Sequence, residues 1–364
     1  MIVKKNAFVS WFSILILGML LLGNVTPVRA RQPTVSGPIP TLAYYYIWFD
    51  TSSWDRAKTD YPQLGRYSSD DLSVMRQHIQ WAKAAGIEGF IVSWKSTDVL
   101  NRRLEQLATV AEEENFKLEV IYQGLDFNRN PLSVDRIASD LDFFIQHFAS
   151  RKAFTLFQKP LVIISGTWKF SPEEIARMTQ GRRKDLLLLA SERNLDGYKR
   201  LADLVDGDAY FWSSVNPETF NGYQDKLVAM SDAVHQHGGL WIPPAAPGFD
   251  ARLIGGGSVV ERKNGDTFRT QINTAMASSP DALGIISWNE FSENSYIEPS
   301  KTYGTKYLDI LSEVNHLPPP ALGEFDSSEP AAVYPTIPFA RQAALGTLAV
   351  MILSGIIVIA RRRT

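Results

Sequence analysis

Across residues 42–316 short unbroken apolar runs alternate with stretches in which apolar residues recur every three or four positions, and few folds accommodate that rhythm. An unbroken apolar run reads as a strand buried on both faces, which belongs in a parallel sheet covered by helices. The first run is residues 42–48. Ser69 then offers an N-cap, Asp70 and Asp71 follow in a first turn, Leu72, Met75, Ile79 and Ala82 keep helical spacing, and Gly86 ends the helix. Further strands are predicted at residues 89–92, 118–122, 161–164, 186–190, 208–212, 240–242 and 283–287. Leu100, Leu104, Leu107 and Ala111 stripe one connecting helix, and Ile137, Leu141, Phe144 and Phe148 another. Eight β/α units match a single closed (β/α)8 TIM barrel of the α/β class, and no Gly-x-Gly-x-x-Gly fingerprint after the first strand points to an open dinucleotide-binding sheet.

The two ends carry a different signal. Lys4 and Lys5 precede an apolar run over residues 7–23, and Val28-Arg29-Ala30 has the small-residue pattern of a signal-peptidase site, so residues 1–30 read as a signal peptide and 31–41 as a linker. Residues 317–342, including Pro318-Pro319-Pro320, read as a proline-rich stalk. Residues 343–360 form an apolar run of bilayer-spanning length, and Arg361, Arg362 and Arg363 in the 361–364 tail mark its cytoplasmic side. The expectation is a single-pass cell-membrane protein with domain 42–316 extracytoplasmic. Cysteine is absent, so that domain relies on its core without disulfides, and the net charge of -2 gives no reason to expect nucleic acid.

Active sites of such barrels lie at the C-terminal ends of the strands. The residues there are aromatic and polar: Tyr44, Tyr46 and Trp48 from the first strand, Trp94 from the second, Tyr122 from the third, and Trp288-Asn289-Glu290 with Glu293 beyond the last. Aromatic platforms edged with hydrogen-bonding groups suit a sugar ring, which has apolar C–H faces and a rim of hydroxyls. We therefore assign Tyr44, Tyr46, Trp48, Trp94, Tyr122 and Asn289 to substrate binding, with an oligosaccharide or polysaccharide as partner. Glu290 and Glu293, three residues apart on a presumed helical turn, are close enough to split their proton affinities and serve as a catalytic pair. Glu298 reads as a residue bracing its loop. The five histidines form no His-Glu-x-x-His or comparable cluster, there is no Cys nucleophile and no Gly-x-Ser-x-Gly elbow, and no metal or organic cofactor is expected.

At these residues the chain resembles glycoside hydrolase family 99, the endo-alpha-1,2-mannosidase and endomannanase family. The resemblance rests on Tyr44-Tyr45-Tyr46-Ile47-Trp48, on residues 86–94, on Pro247-Gly248-Phe249-Asp250-Ala251-Arg252, and above all on Trp288-Asn289-Glu290-Phe291-Ser292-Glu293 with Ile297-Glu298-Pro299. It implies a (β/α)8 barrel that cleaves internal alpha-mannosidic bonds with retention. Glu293 would be the general acid/base, and Glu290 would assist the substrate's own 2-hydroxyl to attack the anomeric carbon. The chain departs from the family pattern in Ser292 for a usual histidine, Phe291 for a usual tryptophan, and Asn294-Ser295-Tyr296 for Gly-Thr-Gln, which leaves an alpha-1,3-glucan as an alternative substrate. A carbohydrate-binding surface protein on the same barrel, or a transferase, are the other readings.

Overall fold

The computed structural model describes residues 39–320 except residue 57. The signal, membrane-span and tail assignments, the linker before residue 39 and the stalk beyond residue 320 lie outside these residues. Among the described residues no helix is long and apolar enough to cross a membrane.

Eight strands each precede a helix. They are β1 (Thr41–Tyr46), β2 (Gly89–Trp94), β3 (Lys117–Tyr122), β4 (Leu161–Ile164), β5 (Leu187–Leu189), β6 (Gly207–Ala209), β7 (Leu240–Ile242) and β8 (Leu283–Ile285). The helices are α1 (Leu72–Ala84), α2 (Asp98–Glu113), α3 (Val134–His147), α4 (Pro172–Thr179), α5 (Leu195–Lys199), α6 (Tyr223–Gln236), α7 (Asp266–Met276) and α8 (Lys306–Val314). Each sequence-predicted strand has a counterpart within a few residues of its expected bounds. The start of α1 differs. Asp71, not Ser69, caps it by accepting from Ser73 N–H at 2.9 Å, while Ser69 turns back to bond Phe49 through both backbone and hydroxyl. A serine hydroxyl offered a nearby strand-end amide serves that amide as readily as a helix.

The strands pair in parallel and the sheet curls on itself. β1 lies between β2 and β8, with Leu42 opposite Gly89 and Gly284, and the ladder continues through β3, β4 and β5. From β5 the bonding passes to β6, where Ala190 N–H reaches Gly207 O at 3.0 Å, and then to β7. Beyond β7 the two residues Pro244–Ala245 pair with β8. The interior is packed with one side chain in two from each strand, among them Leu42, Tyr44, Ile91, Ile121, Ile163 and Ile242, all at most 2% exposed. Their neighbours point outward beneath the helices, as Tyr45 does against Phe90.

Gly207 marks a place where the backbone leaves no room for a side chain. Its φ is +148°, and a Cβ there would lie 2.1 Å from the carbonyl oxygen of Leu240 on the neighbouring strand. Gly207→Ala is expected to destabilise the fold by about 2 kcal/mol or more, because both the strained φ and the clash must be relieved by parting β6 from β7. An unchanged midpoint of thermal or urea unfolding would contradict this account.

Candidate active site

The residues after β8 do not continue as a helix. They form a hydrogen-bonded turn, and the helical turn expected for Glu290 and Glu293 is corrected accordingly. Ser287 N–H donates to Ser295 O at 2.7 Å, Ser287 Oγ accepts from Glu290 N–H at 2.8 Å, and Ile297 N–H returns to Ser287 O at 2.9 Å. Arg262 holds the far side of this turn: its guanidinium donates to the carbonyls of Asn294 (3.0 Å) and Tyr296 (2.9 Å) and lies 4.5 Å from the rings of Tyr296, Tyr303 and Tyr307. Phe291 stacks on Tyr296 at 4.0 Å, and Tyr296 OH donates to Asp60 at 2.6 Å. The backbone of the turn is thereby fixed from three directions, and its two glutamates face one cleft.

That cleft has two lobes. The inner lobe, ≈ 240 Å³, is bounded by Tyr46, Trp48, Gln123, Ser165, Trp168, Phe211, Trp212 and Phe249. The outer lobe, ≈ 530 Å³, is bounded by Phe49, Ser53, Arg56, Lys58, Phe127 and Ile254. Trp48, Glu290 and Glu293 belong to both.

Burial governs the acid-base state of the pair. Glu290 is pushed up to about 8, first by loss of water and then by the negative charge of Glu293; Ser292 N–H, at 2.9 Å from its Oε1, and Lys58 act the other way. Glu293 is also raised by burial, and Arg129 opposes that shift. Two carboxyl groups so placed cannot both ionise at neutral pH, so the pair keeps a proton. Tyr46 is raised by burial and by both glutamates, so its hydroxyl stays protonated beside them.

The sequence-predicted binding residues divide. Tyr46 and Trp48 line the cleft, their rings 4.3 Å apart. Tyr44 points into the barrel one layer lower, packed on Phe211 at 4.6 Å, and so supports the floor without lining it. Trp94 and Tyr122 are corrected: both are fully buried and face outward. Trp94 Nε1–H donates to Asn101 at 3.0 Å beside Phe144 and Phe148, and Tyr122 OH donates to Asp140 at 2.9 Å. On a strand the neighbouring residue takes the opposite face, and it is Ser93 and Gln123 that turn inward, joined by a 2.8 Å hydrogen bond. Asn289 is corrected as well. Its amide accepts from Tyr46 N–H at 2.8 Å and donates to Tyr46 O at 3.0 Å, which commits it to the backbone.

Behind Asn289 lies a buried polar chain. Tyr67 OH donates to Glu298 at 2.8 Å, Glu298 contacts His78 Nε2 at 3.0 Å, and His78 Nδ1 meets Tyr45 OH at 2.9 Å. Glu298 is therefore a brace, tying the loop after β8 to α1 and β1. Sequence reasoning missed Lys58, Arg129 and Arg262, which sit on aperiodic loops where only a cation near an expected strand end could have signalled them. Among the described residues no group of three His, Asp or Glu is placed to hold a metal ion.

A parallel barrel with one buried and one half-buried carboxyl sharing a proton at the strand C-termini, beneath aromatic rings, has the constitution of a glycosidase. The chain belongs to glycosyl hydrolase family 99, whose model matches residues 49–318. It is similar to a glycoprotein endo-alpha-1,2-mannosidase-like protein of Danio rerio, 25% identical over 285 residues, and to the glycoprotein endo-alpha-1,2-mannosidase of Rattus norvegicus, 23% identical over 284. Each match takes in 70% of this chain but only 63% and 60% of those relatives' lengths. Among solved structures, a family 99 endo-alpha-mannosidase from Bacteroides thetaiotaomicron superposes with a TM-score of 0.67 at 20% identity, covering 76% of this chain and 96% of that one, a likeness of fold.

The burial of Glu290 has a measurable consequence for stability. Its folded-state value of about 8 lies above the ordinary 4.5, so between those pH values the folded chain holds a proton that the unfolded chain has released. Stability contributed by this group is present below pH about 4.5 and is lost as pH rises through about 8. Glu290→Gln, which cannot ionise, is expected to melt several degrees above the wild type at pH 8 and close to it at pH 4.5. A Tm difference that stays constant with pH would refute the assignment.

Proposed function

We propose that this chain is a retaining endo-alpha-mannosidase-type glycosidase. One observation carries the reading: Glu290 and Glu293 stand together at the waist between two lobes, so a glycan laid through the cleft presents an internal linkage to both carboxyls. An exo-acting enzyme needs only one blind pocket, whereas two lobes meeting at the acids accommodate sugars on each side of the scissile bond.

Glu290, buried and braced by Ser292 N–H, accepts the proton of the substrate's 2-hydroxyl as that oxygen closes on the anomeric carbon. Glu293 gives its proton to the departing glycosidic oxygen, and the product of this step is a 1,2-anhydrosugar. Water then opens the strained ring from the other face, passing a proton to Glu293 while Glu290 returns one to the 2-oxygen. Two inversions give net retention. Burial raises both carboxyls, Glu290 to about 8 against the opposing charge of Lys58, so the empty site keeps one proton between them, and the reaction requires that proton to sit on Glu293 once the glycan is bound. The aromatic wall of Tyr46 and Trp48 receives the apolar ring faces.

The reading extends to location. The apolar runs at residues 7–23 and 343–360, each flanked by cations on its outer side, support an extracytoplasmic barrel tethered to the membrane by a C-terminal span.

Glu293→Gln is expected to lower hydrolysis of an alpha-1,2-linked mannan by about 10²–10⁴-fold while leaving the circular dichroism spectrum intact and the melting temperature no lower. Product analysis by chromatography checks it. Turnover equal to the wild type would rule out Glu293 as the acid, and tight glycan binding by the wild type with no shorter products would favour a binding protein over an enzyme.

A further inference from the structure

The outer lobe is chemically unlike the inner one. Three large apolar side chains that stand open to solvent converge on it, Phe127 (100% exposed), Ile254 (56%) and Trp48 (41%), and two cations lie among them, Arg56 and Lys58. Neighbouring arginines are matched by carboxylates: Arg103 bonds Asp50 and Asp70, and Arg252 forks onto Asp250. Arg56 and Lys58 are not. Among the described residues neither has a carboxylate within ion-pair distance, and the Lys58 ammonium has only a 3.5 Å approach to the carbonyl of Ser53.

Holding these cations together is unfavourable. Lys58 is lowered by loss of water and further by the charge of Arg56, with Glu290 acting against both. The other charges facing the lobe do not neutralise both cations. Asp50 is taken by Arg103, Glu290 and Glu293 share a proton and so set one negative charge against the two, and Lys95, poised 5.2 Å over the Phe127 ring, adds another positive charge at the rim. Such a site is completed by an anion, and a phosphate or carboxylate seated between a guanidinium and an ammonium forms charge-assisted hydrogen bonds that neutral hydroxyls cannot equal.

We infer that the outer lobe receives an anionic sugar of the substrate glycan, one carrying a phosphate monoester or a carboxylate, with the acid on Arg56 and Lys58 and the ring against Trp48 and Phe127. This rests on the glycosidase reading and adds to it the class of glycan. The cations then discriminate charged from neutral chains, and the open apolar rim supplies contact that does not depend on charge.

The test uses the full chain carrying Glu293→Gln, so that binding is read without turnover. Calorimetric affinities are compared for a linear alpha-mannotriose, for the same trisaccharide with a terminal phosphate monoester, and for its terminal uronic acid counterpart. The phosphate or the uronate form is expected to bind about 5- to 10-fold more tightly than the neutral one at low salt. That advantage is expected to shrink as salt is raised and to be largely lost when Arg56→Gln is added, and whichever acid binds best identifies the charged group. Equal or weaker binding of both acids, an advantage untouched by Arg56→Gln, or no binding of any of the three by folded protein would overturn the inference. The two readings fail separately: wild-type cleavage of neutral chains without acid preference sinks this one alone, and acid-selective binding without any cleavage sinks the glycosidase reading alone.

Discussion

The amide of Asn289 clasps both the N–H and the C=O of Tyr46, and the site is built around that clasp. A side chain here imitates a strand, continuing the β1–β8 ladder past the point where the backbone of β8 has turned away. Trp288 N–H, bonded to Tyr44 O at 2.8 Å, is the last backbone rung before it. On one side the clasp fixes the strand end that presents Tyr46 and Trp48; on the other it fixes the start of the turn that presents Glu290 and Glu293. Removing the amide would leave the Tyr46 N–H without a partner in a buried position, at a cost of about 1–3 kcal/mol, and would free the aromatic wall from the acids it faces.

The polar chain through Tyr67, Glu298, His78 and Tyr45 extends the same constraint outward to α1. Every member is buried and partnered, so the loop after β8 cannot shift without exposing or orphaning one of them. Rigid support behind the turn holds the two acids together in one cleft against their mutual repulsion. Burial, repulsion and the nearby cations of Lys58 and Arg129 together set which carboxyl keeps the proton.

The alternation of strands and helices was plain in the sequence because a barrel strand, covered on both faces, is apolar along its length. That same property hid the phase of β2 and β3. With both faces buried, hydrophobicity does not separate inward from outward residues, and the large rings of Trp94 and Tyr122 drew the site assignment to the wrong side while Ser93 and Gln123 turned inward, Gln123 lining the cleft. In β1 the phase was legible only in part, since Tyr44 and Tyr46 share a face at different depths. Glu290 and Glu293 stood out in the sequence because they lie just past a predicted strand, and the fold turns both to one cleft. Asn289 was misread because an amide beside acids serves a sugar or a backbone equally well, and only the fold shows which is near. Lys58, Arg129 and Arg262 come from loops without periodicity, where the chain gives no sign of what it will approach.

The guanidinium of Arg262, laid over Tyr296, Tyr303 and Tyr307, grips two backbone carbonyls, and carbonyls do not titrate. A staple made from titrating groups would loosen as the acids it supports change state. This one does not, so a change of protonation in the cleft leaves the scaffold that carries the two glutamates in place.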